Sequence, residues 1–298
     1  MLMALLAMLV FTLKKMNNQY APSEVKAKVE SLIDSKLSAF KPSKLLDAMK
    51  YSVLIGGKRI RPELIVQTGR MLGADDKALF EVASGFEMLH ASTLLFDDMP
   101  CIDNDTIRRG QPTTHTVFGE ATATLAGCSL LCAGFDIISQ ENACLVPSVA
   151  DTFGANRCMY GQHMDVVATG SEKSQEYLDE MHIEKTGSLI ENAIELGCLC
   201  ANAPKEVTEL LGSVSFKAGL LFQIHNDILD VVGYDGRKGE DARMNKQTTY
   251  PNKFGLDEAL NKRDDLFKET ISELKTLSTK YDTTNLENAI EFIAYRDY

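Results

Sequence analysis

"DKALFEVASGFEMLHASTLLFDD", residues 76 to 98, decides the fold. Its apolar residues recur at helical spacing, with none of the two-residue alternation of a strand. The run stops near Pro100, a residue that does not continue a helix. The helix that this pattern predicts therefore ends on Asp97 and Asp98. A helix C-terminus already carries partial negative charge, so two carboxylates there call for a compensating cation.

Outward from this segment the chain reads as helix after helix. "SEVKAKVESLIDSKLSAF" opens on a candidate cap at Ser23, "KLLDAMKYSVLIGG" ends at Gly56-Gly57, and "ELIVQTGRMLG" ends at Gly73. Further helical patterns occupy roughly 120–140, 148–168, 175–201, 205–233, 256–279 and 284–295, and the prolines fall mostly in the gaps. Neither a repeat of fixed period nor a low-complexity linker divides the chain. The expectation is an all-α fold, one large helical domain over residues 17–298.

The N-terminal "MLMALLAMLVFTLKK" stands apart. Its apolar run stops at Leu13, short of the ~20 residues of a spanning helix. Its lysines follow the run, the reverse of a secretory signal. Three readings stay open for residues 1–16: an extension upstream of a start at Met16, ranked first, a helix packed on a partner, or a membrane-surface helix that contacts lipid.

Composition narrows the function. The 298 residues are 45% hydrophobic, enough for a substantial core, and carry a net charge of -11 with no long basic run. That balance argues against nucleic acid as a partner. The seven cysteines are odd in number and lack framework spacing, which reads as reduced thiols in a cytoplasmic protein. Cys128 and Cys132, one helical turn apart, read as small packing residues before a metal or redox pair.

Chemistry concentrates in a few clusters. Asp97, Asp98, Asp103 and Asp105 fall within nine positions, and Arg108 and Arg109 follow. Clustered carboxylates suit Mg²⁺, which bridges to substrate phosphates, and arginine forks suit phosphate oxygens. A second cluster, "FQIHNDILD", carries Asn226, Asp227 and Asp230 at spacings that let all three converge on a helix face. Between them lie "GGKRIRP", with Lys58, Arg59 and Arg61, and "EKTGSL", with Lys185 and Thr186. Together these describe a site for diphosphates held through Mg²⁺.

The ordered set "GGKRIRP", "DDMPCID" with "RRGQPTTH", "FGEA…LAG", "GQHMD", "EKTG" and "FQ…DILD" resembles the trans-isoprenyl diphosphate synthases, the farnesyl and geranylgeranyl diphosphate synthase family. The likeness covers roughly residues 24 to 298. It implies an isoprenoid-synthase bundle around a central cavity, usually in a homodimer, acting as a polyprenyl synthetase in isoprenoid biosynthesis. It implies three Mg²⁺ ions, with Asp97, Asp98 and Asp103 as the first metal motif, Asp97 and Asp103 as direct ligands, and Asp227 and Asp230 in the second. Isopentenyl diphosphate would be held by Lys58, Arg61, His90 and Arg109. The allylic diphosphate would be held by Arg108, Lys185, Thr186, Gln223 and Lys246. The catalytic set is Asp97, Asp98, Asp103, Lys185 and Asp227. By itself His90 reads as a core histidine, and His163 and His182 are taken as structural.

Three positions depart from the family pattern: Asn226 opens the second motif in place of an aspartate, Cys128 replaces an acid, and Phe96 stands where a polar residue often precedes the first motif. An amide lacks the charge that draws Mg²⁺, so Asn226→Asp is expected to raise rate or Mg²⁺ affinity. These departures keep a second reading, a weakly active or non-catalytic regulatory subunit. Product length is read from the helix that ends at Asp97. Each ~5.4 Å turn is close to one isoprene unit. Ser92 and Thr93, small, form the first rung, Met88 and Leu89 the next, and Phe86 lies near the third. That depth favours geranylgeranyl over farnesyl diphosphate.

Overall fold

Each predicted helical run becomes helix, with two internal breaks. The computed structural model describes residues 24–168, 174–232 and 250–296; Ser23, Lys246 and the N-terminal segment 1–16 lie outside the described residues. The helices are α1 (Glu24–Leu37), α2 (Lys44–Leu54), α3 (Ile60–Leu72), α4 (Asp76–Asp97), α5 (Thr114–Phe118), α6 (Glu120–Asn142), α7 (Val146–Phe153), α8 (Cys158–Ala168), α9 (Gln175–His182), α10 (Ser188–Cys200), α11 (Lys205–Val232), α12 (Tyr250–Phe254), α13 (Leu256–Leu274) and α14 (Thr284–Tyr295). The fold is all-α, as the patterning predicts.

Local chemistry sets the boundaries of α4. Gly73 ends α3 in the left-handed conformation (φ 85°), and Asp75 caps α4 by accepting from the Ala78 N–H at 3.0 Å. Such a cap is worth ~1 kcal/mol. Apolar residues bury α4 from Leu79 to Leu95, as befits a helix at the centre of a bundle. It meets α6 at Gly85 and Gly134. A Cβ on Gly85 would stand 2.8 Å from the Gly134 carbonyl oxygen, and one on Gly134 would stand 2.7 Å from the Gly85 oxygen. Alanine at either position forces the two helices apart.

The breaks fall in the two runs that the spacing reads as continuous. The 148–168 pattern divides at Gly154 into α7 and α8. The 175–201 pattern is widened by a π-helical turn, Ile183–Gly187, between α9 and α10. Such turns cost hydrogen-bond geometry and recur at functional sites. A two-residue hairpin is the small departure from all-helix: β1 (Ile107–Arg108) pairs antiparallel with β2 (Gln111–Pro112). Arg109 (φ 53°) and Gly110 (φ 75°) supply the two positive-φ positions that a tight hairpin needs.

The cysteines are free. Burial pushes the Cys158 thiol up to about 11 and that of Cys198 up to about 12, as for packing residues. Cys128 and Cys132 depart from the expected packing role. Both are exposed, on the face of α6 turned away from α4.

Candidate active site

The first acidic motif is built where α4 ends. The Asp103 N–H donates to the Asp97 carbonyl at 3.0 Å, so the chain after Pro100 folds back and sets Asp103 beside the helix end. Asp97 becomes a hub. It accepts from Gln162 at 2.6 Å and from Arg108 at 3.2 Å, and Lys185 stands 3.4 Å away. Arg108 also reaches Asp98 at 2.7 Å. Burial raises the Asp98 carboxyl against the pull of Arg108. Burial first, and then the charge of Asp97, pushes Asp103 up to about 6.

Lys185 arrives on the π turn. Gly161 of α8 permits this: a Cβ there would fall 2.2 Å from the Lys185 backbone nitrogen. The Lys185 ammonium donates to Asp165 at 2.6 Å. Burial opposes its charge, but Asp97 and Asp165 outweigh burial and raise its pKa. Gln162 and Asp165 stand in "GQHMD", yet sequence reasoning gave neither a role. Their spacing of three, one face of a helix, was the available signal.

The hairpin turn sends neighbouring arginines to two places. Arg108 joins the aspartates, while Arg109 donates to the Gly56 carbonyl and lies over Gly57, where a Cβ would come within 2.6 Å of the guanidinium carbon. Arg61 and the His90 Nε2 are 3.1 Å apart. Burial, then Arg61 and Arg109, hold His90 well below its ordinary value, so its ring is neutral and Nε2 accepts. Among the described residues Arg61 Nε and His90 Nδ1 have no hydrogen-bond partner. Burial, then Arg296 and Arg109, push Lys58 down to about 7. Lys58, Arg61, His90 and Arg109 thus gather, joined by Arg296 from the chain's far end.

The second motif does not converge as its spacing suggests. Asp227 accepts from Gln223 at 2.7 Å and from the Tyr250 N–H at 3.1 Å. Asn226 faces the other way and accepts from the Arg296 guanidinium, which lies 4.3 Å over the Phe222 ring. Neighbours on a helix point about 100° apart, which separates the two. His182, expected to be structural, lines a cleft with Asp179, Gln223, Asp227 and Tyr250. Its charge partners are Asp227 of the second motif and Asp165 beside Lys185, so it stands between the two acidic clusters.

Below Asp97 the α4 side chains divide. Thr93 and Phe86 share the Asp97 face at i−4 and i−11, and Phe86 meets Phe153 of α7 edge-on at 5.1 Å between centroids. Leu89, beside that line, packs on Gly134 of α6. Ser92 and Met88 are fully buried, and the Ser92 hydroxyl turns back to the Leu89 carbonyl at 2.7 Å.

Asp97, Asp98, Asp103, Asp105 and Asp165 outnumber the cations Arg108 and Lys185 beside them. Among the described residues no three possible metal ligands already stand grouped for an ion; Gln162, Arg108 and Lys185 occupy the oxygens instead. The hard oxygen donors and the excess of carboxylates over cations fit a divalent cation such as Mg²⁺.

A helical bundle with this acidic centre and a basic cluster beside it defines an enzyme that handles diphosphates. The sequence profile of the polyprenyl synthetase family matches residues 42–288. The chain is 37% identical to the farnesyl diphosphate synthase of Haemophilus influenzae over 85% of this chain and 88% of that one. It is 34% identical to a chloroplastic geranylgeranyl pyrophosphate synthase of Capsicum annuum over 90% and 76%. An FPP/GFPP synthase of Zymomonas mobilis superposes with a TM-score of 0.80 at 29% identity, covering 91% of this chain and 96% of that one. The protein belongs to the polyprenyl synthetase family and is a short-chain prenyltransferase. The family uses a divalent metal for catalysis, and its substrates are isopentenyl and allylic diphosphates.

Proposed function

We propose that this enzyme condenses isopentenyl diphosphate with allylic diphosphates in a Mg²⁺-dependent reaction, with geranylgeranyl diphosphate as the main product and farnesyl diphosphate next. The observation that carries the reading is the pairing of Asp97 with both Arg108 and Lys185 at the end of α4. When bound, Mg²⁺ supplies Lewis-acid stabilisation of the leaving diphosphate. Asp97, Asp98 and Asp103 on one side and Asp227 and Asp230 on the other would hold it. Arg108, Lys185, Thr186 and Gln223 bind and orient the allylic diphosphate, together with Lys246.

Lys58, Arg61, His90 and Arg109 form the isopentenyl diphosphate subsite. The orphaned donors Arg61 Nε and His90 Nδ1 support it, since buried donors call for an acceptor. Phosphate oxygens are strong acceptors for such groups. With both diphosphates fixed, the double bond of one substrate faces the allylic carbon of the other. Buried apolar walls keep out the water that would quench a carbocation.

The line from Asp97 to Phe86 supports the longer product. It spans eleven residues, roughly 16 Å, with small Thr93 at its top and the Phe86–Phe153 pair at its base. The α6 face that carries Ala121, Leu125, Cys128 and Cys132 is exposed at a spacing of four, three and four. A seam of that period suits a second helix, which supports a homodimer. We place the enzyme in the cytoplasm on its free thiols and acidic charge. The test is purified protein with isopentenyl diphosphate, Mg²⁺ and geranyl or farnesyl primers. Products sized by chromatography should peak at C20, and a C15 product that farnesyl primer does not extend contradicts the length assignment.

A further inference from the structure

The basic turn between α2 and α3 crowds several cations into one corner, and like charges resist such packing. What holds them there lies underneath. Arg59, between Lys58 and Arg61, adopts the left-handed conformation (φ 54°, ψ 38°), which is strained for a side chain of this size. Its guanidinium is fully enclosed. It donates to Glu87 at 2.7 Å, to the Val53 carbonyl at 2.7 Å and to Glu30 at 3.0 Å. Glu87 is itself buried, at 2% exposure, and sits on α4 three residues before His90, on the same face. Its charge also reaches Arg61 and Arg109. One carboxylate thus serves three arginines, only one of which turns away from the pocket.

We propose that Glu87 and Arg59 are positioning residues for the isopentenyl diphosphate subsite: their buried pair fixes the strained turn so that Lys58 and Arg61 face the pocket. Neither residue touches substrate. Arg59 ties the turn to α1, α2 and α4 at once, and Glu87 offsets the repulsion that would spread Arg61 and Arg109. The proposal rests on the assignment of Lys58, Arg61, His90 and Arg109 to that substrate.

Glu87→Gln keeps the shape and removes the charge. It should raise the KM for isopentenyl diphosphate at least five-fold, while kcat and the KM for the allylic primer stay within two-fold. The double variant Glu87→Gln/Arg59→Met removes both members of the buried pair, so Arg59 is not left facing a neutral partner, which preserves folding where the single change does not. It should show the same selective rise, since the turn loses its tether. Lys58→Ala and Arg61→Ala are measured alongside. If they fail to raise the KM for isopentenyl diphosphate selectively, the subsite assignment falls. If they succeed while a folded Glu87 variant lowers only the melting temperature, or raises both KM values equally, Glu87 and Arg59 are structural and the proposal is overturned.

Discussion

The side-chain oxygen of Asn226 accepts a hydrogen bond from the guanidinium of Arg296, seventy positions along the chain. The His225 ring meets the Arg296 carbonyl oxygen at 2.6 Å, so two consecutive residues of α11 hold the chain's last described residue. The position that opens the second motif is thereby turned toward the C-terminus and the basic pocket.

That contact redirects what Asn226→Asp should do. A carboxylate there replaces a neutral acceptor with a charged one, so the bond from the buried Arg296 guanidinium becomes an ion pair. The melting temperature without metal should rise by about 2–4 °C, and the Mg²⁺ concentration for half-maximal rate should stay within two-fold. A lower Mg²⁺ midpoint with an unchanged melting temperature would place residue 226 among the metal ligands.

Lys58 gives the pocket a pH dependence of known sign. Burial and the neighbouring arginines hold it at about 7 in the free enzyme, and a bound diphosphate favours its charged form. Binding therefore takes up a proton above pH 7. The KM for isopentenyl diphosphate should climb as pH rises from 7, by up to about ten-fold per unit, and the slope should vanish in Lys58→Arg, which stays protonated. A slope that persists in Lys58→Arg assigns the titration elsewhere.

Thr93→Phe places a ring on the Asp97–Phe86 line and should shorten the main product by one isoprene unit. Ser92→Tyr should act differently. Ser92 shares the helical stripe of Leu89 and Gly85 that packs on α6, so the larger side chain overpacks that seam, at a cost of about 1–3 kcal/mol. Product analysis and melting curves of both variants check this; unchanged product length in Thr93→Phe means that the tail follows another wall.

What the sequence made legible was local. The helical runs, the end of α4 on two aspartates and the arginines behind them lie within one stretch, and their chemistry follows from adjacency. The hidden features come from distant partners or small changes of pitch. No pattern marks the π turn that delivers Lys185, because the room it needs comes from Gly161 on another helix. Spacing grouped Asn226 with Asp227, but the partners that separate them, Arg296 and Tyr250, lie far along the chain. His182 looked structural because its place beside Asp227 depends on α9 and α11 lining one cleft.

The central claim is that metal-assisted departure of the allylic diphosphate is organised at Asp97. The most direct measurement is a paired assay of wild type and Asp97→Ala with isopentenyl diphosphate, farnesyl primer and a Mg²⁺ titration, with inorganic pyrophosphate and prenyl product both quantified. Wild type should release one pyrophosphate per condensation and depend on Mg²⁺, and Asp97→Ala should be slower by about 10²–10³ at saturating Mg²⁺. Condensation that continues in chelator, or an Asp97→Ala rate near that of wild type, would contradict the account.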